Sequence, residues 1–361
     1  MKVVIFCGGF GTRIWPISRK SFPKQFFPLI KGQSFFELTY ARFLKAFNPR
    51  DILVSTEKAY IPIVRRLQPG IPKENIIAEP ERKDNLAAIG LVAAILEKKF
   101  PGEVMIVSWS DHIITLESVF LRAILIASQI ARDTGMVVSV NEEPKTPSTH
   151  NEWVKTGHLI SEINSFRVLE IVKLIKRPNE NMAKRLFQSS GYLINTGYRA
   201  FRTDIMMQYY HQFQPGIFAG LAKITESLGK RDFDSILYRE YHKFKKESIE
   251  FGIFAKVEEG KQASIAVDFG WKDAGTWELF YKALRVKDEE NVFEGEAIFE
   301  TVESQSNLVI GPKGKLISLI GVRDLIIIET QDALLVANMN SSAKVKDLFS
   351  TLERSRPNFV K

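Results

Sequence analysis

Three glycines, a threonine and four cations lie between residues 8 and 24, in Gly8-Gly9-Phe10-Gly11-Thr12-Arg13-Ile14-Trp15-Pro16-Ile17-Ser18-Arg19-Lys20 followed by Pro23-Lys24-Gln25-Phe26. Residues of these types at this spacing can hold phosphate. Glycines lack a Cβ, so successive backbone N–H groups can close on anionic oxygens. Arg13 adds a planar fork of donors and Lys24 a point charge. Glycines alone would suit a tight strand-to-helix turn equally well; the cations Arg13, Arg19, Lys20 and Lys24 tilt the reading toward phosphate. Two other phosphate loops do not fit. A dinucleotide fingerprint counted from Gly9 would need glycine where Ile14 stands, and no Gly-x4-Gly-Lys-Ser/Thr string occurs.

A second chemical group is Asp111, which with His112 follows the apolar run at residues 104–108. Mg2+ is commonly held by one or two carboxylates, with substrate phosphates and water completing its shell. An aspartate after a strand also serves as a turn former or helix cap. Its place at the end of a strand, as the opening loop also has, favours the metal reading, with His112 in an orienting or packing role.

These groups need a scaffold. The chain has 361 residues, 45% hydrophobic and 25% charged, enough for one large domain and a smaller one. Up to residue 283, β-rich runs at 2–6, 52–55, 76–78, 104–108, 136–140 and 168–174 alternate with helical patterns, including 34–46 and 86–99. This predicts a doubly wound α/β domain over residues 1–283 with a mostly parallel, Rossmann-like sheet, whose ligands bind beyond the carboxyl ends of strands. Residues 284–361 change texture. Short β runs at 296–303, 307–309, 316–320, 325–329 and 333–336 predict a small C-terminal β domain, and helical spacing returns at 343–352.

A formal charge of +8 favours anionic partners. Lys and Arg are interspersed with Asp and Glu, which argues against nucleic acid. The densest other basic cluster, Lys243-Phe244-Lys245-Lys246, reads as a solvated helix face. No apolar run can cross a bilayer and the N-terminal one is too short for a signal peptide, so no membrane partner and a cytoplasmic location are expected. The single Cys7 agrees, since it has no internal disulfide partner.

The opening string resembles the signature of the sugar nucleotidyltransferases, and within them the mannose-1-phosphate guanylyltransferases. That pattern, Gly-Gly-x-Gly-Thr-Arg-Leu-Trp-Pro-Leu-Ser-Arg then Pro-Lys-Gln-Phe, is met with Ile14 and Ile17 in place of leucines. The family's Pro-Ala-Asp-His and Gly-Trp-Ser-Asp-Val-Gly-Ser-Trp are similar to Trp109-Ser110-Asp111-His112 and Gly270-Trp271-Lys272-Asp273-Ala274-Gly275-Thr276-Trp277. The resemblance implies Mg2+ on Asp111 and Asp273, catalytic Arg13 and Lys24, and a C-terminal unit similar to a left-handed β-helix. Longer members add a cupin domain, for which this chain leaves no room.

The resemblance also implies a nucleoside triphosphate, with GTP favoured, and a sugar 1-phosphate. Gly8, Gly9, Gly11 and Thr12 would cradle phosphates. Glu79, with two acceptor oxygens, can receive guanine N1–H and N2–H, and Asn85 lies in the adjoining Arg82-Lys83-Asp84-Asn85, which departs from the family's Gly-Arg-Asn-Thr. On the sugar side, Thr156-Gly157-His158 stands for Tyr-Gly-Tyr, and Ile194-Asn195-Thr196-Gly197 for Trp-Asn-Ser-Gly. Ser248-Ile249-Glu250 stands for Ser-Ile-Asp. Lys176-Arg177-Pro178 stands for Glu-Lys-Pro, so Arg177 can take the phosphate, while Lys176 only donates and cannot accept from sugar hydroxyls. Gly157, Lys176, Arg177, Asn195 and Glu250 are therefore the sugar-phosphate candidates. Alternatives are a pyrophosphorylase for another pair, such as glucose 1-phosphate with UTP, and a non-catalytic sugar-nucleotide-binding regulator. Edges of the small β domain could be covered by a second copy, giving a homodimer.

Overall fold

The computed structural model describes residues 1–361. The first 11 strands are β1 (Lys2–Cys7), β2 (Ile52–Glu57), β3 (Ile76–Glu79), β4 (Val104–Trp109), β5 (His112–Ile114), β6 (Val137–Glu142), β7 (Trp153–Ile163), β8 (Phe166–Ile175), β9 (Tyr192–Arg202), β10 (Gln262–Ala266) and β11 (Trp271–Asp273). Nine of them form one sheet in the order β3-β2-β1-β4-β9-β6-β10-β8-β7, and all but β8 and β9 point the same way. The sheet is the expected mostly parallel, doubly wound one. Strands β7, β9 and β10 were not among the runs expected from sequence.

Alternation along β1 shows how the layers are made. Val4 and Phe6 enter one core with Leu86, Ile89 and Leu96 of the helix Asn85–Lys99. Val3, Ile5 and Cys7 enter the opposite core with Phe36, Tyr40 and Phe43 of the helix Phe35–Leu44. A strand covered on both faces must be apolar throughout, and β1 is. The helix Phe35–Leu44 starts at a capping box in which Ser34 accepts from the Glu37 N–H and Glu37 accepts from the Ser34 N–H.

The C-terminal strands are β12 (Val292–Gly295), β13 (Ile298–Val302), β14 (Leu308–Gly311), β15 (Leu316–Ile320), β16 (Leu325–Glu329) and β17 (Leu334–Asn338). β12, β14 and β16 stack in parallel, β13 and β15 form a second parallel pair, and β17 closes the stack antiparallel to β16. Two parallel stacks filled by alternate strands are the layout of a β-helix-like coil, as expected. Its core is shared with the signature string: Ile14, Trp15 and Ile17 pack with Trp277, Phe280, Leu308, Ile326 and Ile328.

Candidate active site

Strand β1 delivers the chain into Gly8-Gly9-Phe10-Gly11, with Gly9 at φ +83° and Gly11 at φ +70°. Those conformations are ones that other residues resist. The backbone N–H groups of Gly8, Gly9, Phe10 and Gly11 donate to no protein acceptor. Their carbonyl side is occupied: the buried Gln25 amide reaches the carbonyls of Cys7 at 3.2 Å, Gly8 at 3.5 Å and Gly9 at 3.3 Å. Gln25 thus collects acceptors on one side of the loop and leaves donors free for an anion. Gly11 also makes room for Lys24, whose Cγ and Cδ lie 2.9 Å from where a Cβ would stand.

Lys24 is buried, and its ammonium lies 2.9 Å from Asp111 and 3.4 Å from the Ala274 carbonyl. Burial opposes ionisation of Asp111, but the Lys24 charge and hydrogen bond, with His112, outweigh it and hold the carboxyl down at about 2. His112 has its own pKa lowered, chiefly by burial, and contacts the Tyr198 hydroxyl at 3.2 Å and the edge of Trp271. It also lines the larger of the two chambers described below. Strands β5 and β11 pair with His112 opposite Asp273, which draws the second carboxylate to the same place. Beside it, a Cβ on Gly275 would lie 2.9 Å from Asp273 Oδ1 and 3.1 Å from Arg13 Nη2. The small residues at 274 and 275 therefore admit Lys24 and Arg13.

Two carboxylates, one held ionised, bordering a water-accessible cleft offer hard oxygen ligands of the kind Mg2+ takes. No third His, Cys, Asp or Glu joins them in a metal-sized group. The residues fit an ion whose remaining positions go to phosphate oxygens and water.

Two chambers open from this point. The smaller, about 320 Å³, is lined by Gly8, Gly9, Glu79, Arg82, Asn85 and Lys246, among others. Glu79 is buried at the end of β3, accepting from the Ser55 hydroxyl at 2.8 Å and the Tyr241 hydroxyl at 3.3 Å. Burial pushes its carboxyl up to about 7. Arg82 pairs with Glu57 at 2.5 Å and stacks 3.3 Å from the Phe10 ring centroid, bracing the glycine loop.

The larger chamber, about 760 Å³, is polar and lined by Asp111, Asp273, Lys176, Arg177, Asn195 and Glu250, with His150, Asn151 and Glu152 on the same wall. Glu250 is buried, and its oxygens are engaged by Arg199 at 2.9 Å, Ser248 at 2.5 Å and Asn85 at 3.2 Å. Its direct contribution to a ligand is thereby restricted. Gly157 does not join the wall. It lies exposed on the β7–β8 ribbon, where a Cβ would meet Glu170 and Val172. The residues before β7 stand in the chamber instead, and no motif in the sequence marks them.

Two basic groups are placed differently from expectation. Arg19 binds Asp332 at 2.8 Å and the Phe359 carbonyl, and Lys20 pairs with Glu353, so both cations serve the C-terminal unit rather than phosphate. Trp15 Nε1 also donates to the Phe359 carbonyl at 2.8 Å, the Lys20 N–H donates to the Val360 carbonyl at 3.0 Å, and Trp277 Nε1 donates to the Trp15 carbonyl at 2.9 Å. The Lys243–Lys246 cluster is not a helix face. The helix Phe233–His242 ends before it, Phe244 inserts into the core, and Lys246 borders the smaller chamber.

The chain is similar to known proteins over most of its length. The chain is 29% identical to an Escherichia coli mannose-1-phosphate guanylyltransferase over 357 residues, covering 98% of this chain and 75% of that protein. A Klebsiella pneumoniae protein of the same name is 28% identical over 356 residues, covering 98% and 74%. The solved structure of a Thermus thermophilus protein, named mannose-1-phosphate geranyltransferase, superposes with a TM-score of 0.87 at 23% identity, covering 98% of this chain and 99% of that one, which shows the shared fold. Residues 297–352 match the family described as MannoseP isomerase/GMP-like beta-helix domain. Residues 2–290, which carry the glycine loop, both chambers and both carboxylates, match the Nucleotidyl transferase family, and the chain belongs to it.

Proposed function

We propose that this nucleotidyltransferase joins GTP and α-D-mannose 1-phosphate into GDP-mannose and pyrophosphate. The observation that carries the reading is the union of the chambers. Asp84, Asn85, Trp109 and Asp111 line both, so a nucleotide in the smaller and a sugar phosphate in the larger would meet at Asp111. The named relatives in E. coli and K. pneumoniae support the choice of substrates.

In this reading an oxygen of the sugar phosphate attacks the α-phosphorus in line. A new P–O bond forms, the bond to the bridging α–β oxygen breaks, and pyrophosphate leaves with that electron pair. A phosphate monoester is already anionic at neutral pH and needs no side-chain base. The protein contributes position and charge. The free N–H groups of Gly8, Gly9 and Gly11 and the Thr12 hydroxyl cradle the departing phosphates. Arg13 and Lys24 offset charge on the leaving group and the α-phosphate. Asp111 and Asp273 would hold Mg2+, which supplies charge neutralisation between the two phosphates. Glu79 would accept from guanine, beside Asn85, and Arg177 and Asn195 would hold the sugar phosphate.

Pyrophosphate release measured with each of four nucleoside triphosphates and a panel of hexose 1-phosphates, with Mg2+, tests the proposal. GTP with mannose 1-phosphate should give the highest kcat/KM, and a higher value for UTP with glucose 1-phosphate would overturn it. Lys176 at the chamber edge keeps another sugar 1-phosphate as the second reading.

The exposed apolar residues Ile298, Val302, Leu316 and Ile320 on the paired strands β13 and β15 support a homodimer, which light scattering on eluted protein tests. The buried, unpaired Cys7 and the absence of any helix long and apolar enough to cross a membrane accord with a cytoplasmic setting.

A further inference from the structure

The larger chamber must bind a sugar by its hydroxyls, and hydroxyls need acceptors as well as donors. Its carboxylates are unequally available. Asp84 caps the Asn85 N–H at 2.8 Å, Asp111 is paired with Lys24, and Glu250 is engaged on both oxygens. Asp273 lies beside Arg13 at Gly275, at the phosphate end. Glu247 follows Lys246 on the wall adjoining the nucleotide chamber. Glu152 alone stands among the sugar-side residues with its accepting capacity almost unused. Its one side-chain bond is a long contact of 3.4 Å from Asn195 Nδ2.

Strand register explains its place. In the antiparallel pairs flanking β7, Trp153 stands opposite Ile175 of β8 and Ile194 of β9. One step back along β7 therefore sets Glu152 opposite Lys176 on one side and beside Asn195 on the other. The backbone agrees, since the Asn195 N–H donates to the Glu152 carbonyl at 2.9 Å. Lys176 cannot accept a hydroxyl proton, yet the residue facing it across the strand pair can. Burial and Glu250 raise the Glu152 carboxyl, while Arg177 and Arg199 draw it back toward the ionised form.

Resting on the sugar 1-phosphate reading above, we infer that Glu152 is the carboxylate that accepts hydrogen bonds from the sugar hydroxyls, with Lys176 opposite it donating to the neighbouring hydroxyl. A ring with adjacent free hydroxyls would then be read by an acceptor and a donor from two facing strand ends, while its phosphate lies toward Arg177. The acceptor then stands at the start of β7, across the strand pair from Lys176 at the end of β8.

The test compares wild type with Glu152→Gln, a shape-preserving change at a half-exposed position. Calorimetry measures binding of mannose 1-phosphate, its monodeoxy analogues and inorganic phosphate, and steady-state kinetics measures KM for GTP. Mannose 1-phosphate should bind the variant about tenfold or more weakly, as expected for loss of one charge-assisted hydrogen bond. GTP KM and phosphate binding should stay within twofold. For one monodeoxy analogue, the one lacking the hydroxyl that Glu152 accepts, wild type and variant should bind equally. Mannose 1-phosphate affinity unchanged by the substitution, or equal weakening across all analogues, would overturn the role. If wild type binds a hexose 1-phosphate but releases no pyrophosphate with any nucleotide, the guanylyltransferase reading fails while the same binding series still decides Glu152. Failure of wild type to bind any hexose 1-phosphate would overturn both.

Discussion

The Lys24 ammonium stands 2.9 Å from the Asp111 carboxylate, a cation and an expected metal ligand held together at the junction of the two chambers. Lys24 is only 7% exposed and Asp111 35%, so the pair is shielded on the lysine side and open on the other. Lys24→Met, which keeps the buried stem, should lower kcat by about 10²–10³ through loss of charge stabilisation in the transition state. Pyrophosphate release under saturating substrates measures it. A variant within threefold of wild type would remove Lys24 from the chemistry.

Asp111→Asn should abolish dependence of the residual rate on added Mg2+, and chelation of Mg2+ from wild type should stop turnover. The substitution also leaves the buried Lys24 without its counter-charge. Because Asp111 is partly exposed, the expected destabilisation is only about 1–2 kcal/mol, less than for a fully buried pair. Urea unfolding and an Mg2+ titration of the rate read these two effects separately.

Gln25→Ala removes the one donor shared by three loop carbonyls. The loop's N–H groups would lose their fixed orientation, with a fall in kcat of about tenfold or more and a stability loss of about 1–3 kcal/mol for the buried acceptors left unpaired. Affinity for sugar 1-phosphate alone, read by calorimetry, should not change, since Gln25 lies outside that chamber. Weakened sugar binding of the same size as the kcat loss would point to general disorder instead.

Glu79 and Glu142 are both pushed up to about 7 by burial. A raised acid pKa means that the native state holds a proton the unfolded chain has released. Its contribution is complete below the unfolded value near 4.5 and is lost as pH rises through about 7. Wild type should therefore lose stability between about pH 5 and 7.5, by up to about 3 kcal/mol for each group. Glu79→Gln should remove one share of that slope in urea titrations at stepped pH. KM for GTP should fall over the same interval as Glu79 ionises into an acceptor, and this trend should vanish in the variant. A stability slope identical in both proteins would exclude Glu79 as its source.

Gly11→Ala meets two obstacles, a φ of +70° and the Lys24 stem 2.9 Å from the new methyl. It should cost about 1–2 kcal/mol and displace the ammonium, so kcat falls more than stability would suggest. Gly8→Ala, where nothing lies within 4 Å of the new methyl, is the control and should change stability by less than about 1 kcal/mol.

Much of this could be read from the chain because it is local. The runs at 316–320 and 325–329 match β15 and β16 residue for residue, since each is apolar and bracketed by turn residues. The spacing of Gly8, Gly11, Arg13 and Lys24 marked a loop that the fold gathers beyond β1, with Asp111 against Lys24 and Asp273 beside Arg13 at Gly275. What escaped reading depends on partners far away. β7 is Trp153 followed by mostly exposed, mixed residues on a ribbon, so it carries no clear alternation. β9 is legible only once β4 and β6 flank it. Glu152 lies in no motif, and only the register of β7 against β8 and β9 gives it meaning. Arg19 and Lys20 misled because proximity in sequence to a phosphate loop does not fix which way a cation turns.

The hydrogen bond from Trp15 to the Phe359 carbonyl joins residues 344 positions apart. A growing chain, extended at roughly 5–20 residues per second, would wait about 20–70 s between making one partner and the other. Through that interval the base of the glycine loop lacks its closing brace and the apolar side chains of Ile14, Trp15 and Ile17 lack most of their core. The part of the site made first is thus the part completed last, and a nascent chain should gain nucleotide affinity only once its far end has folded back.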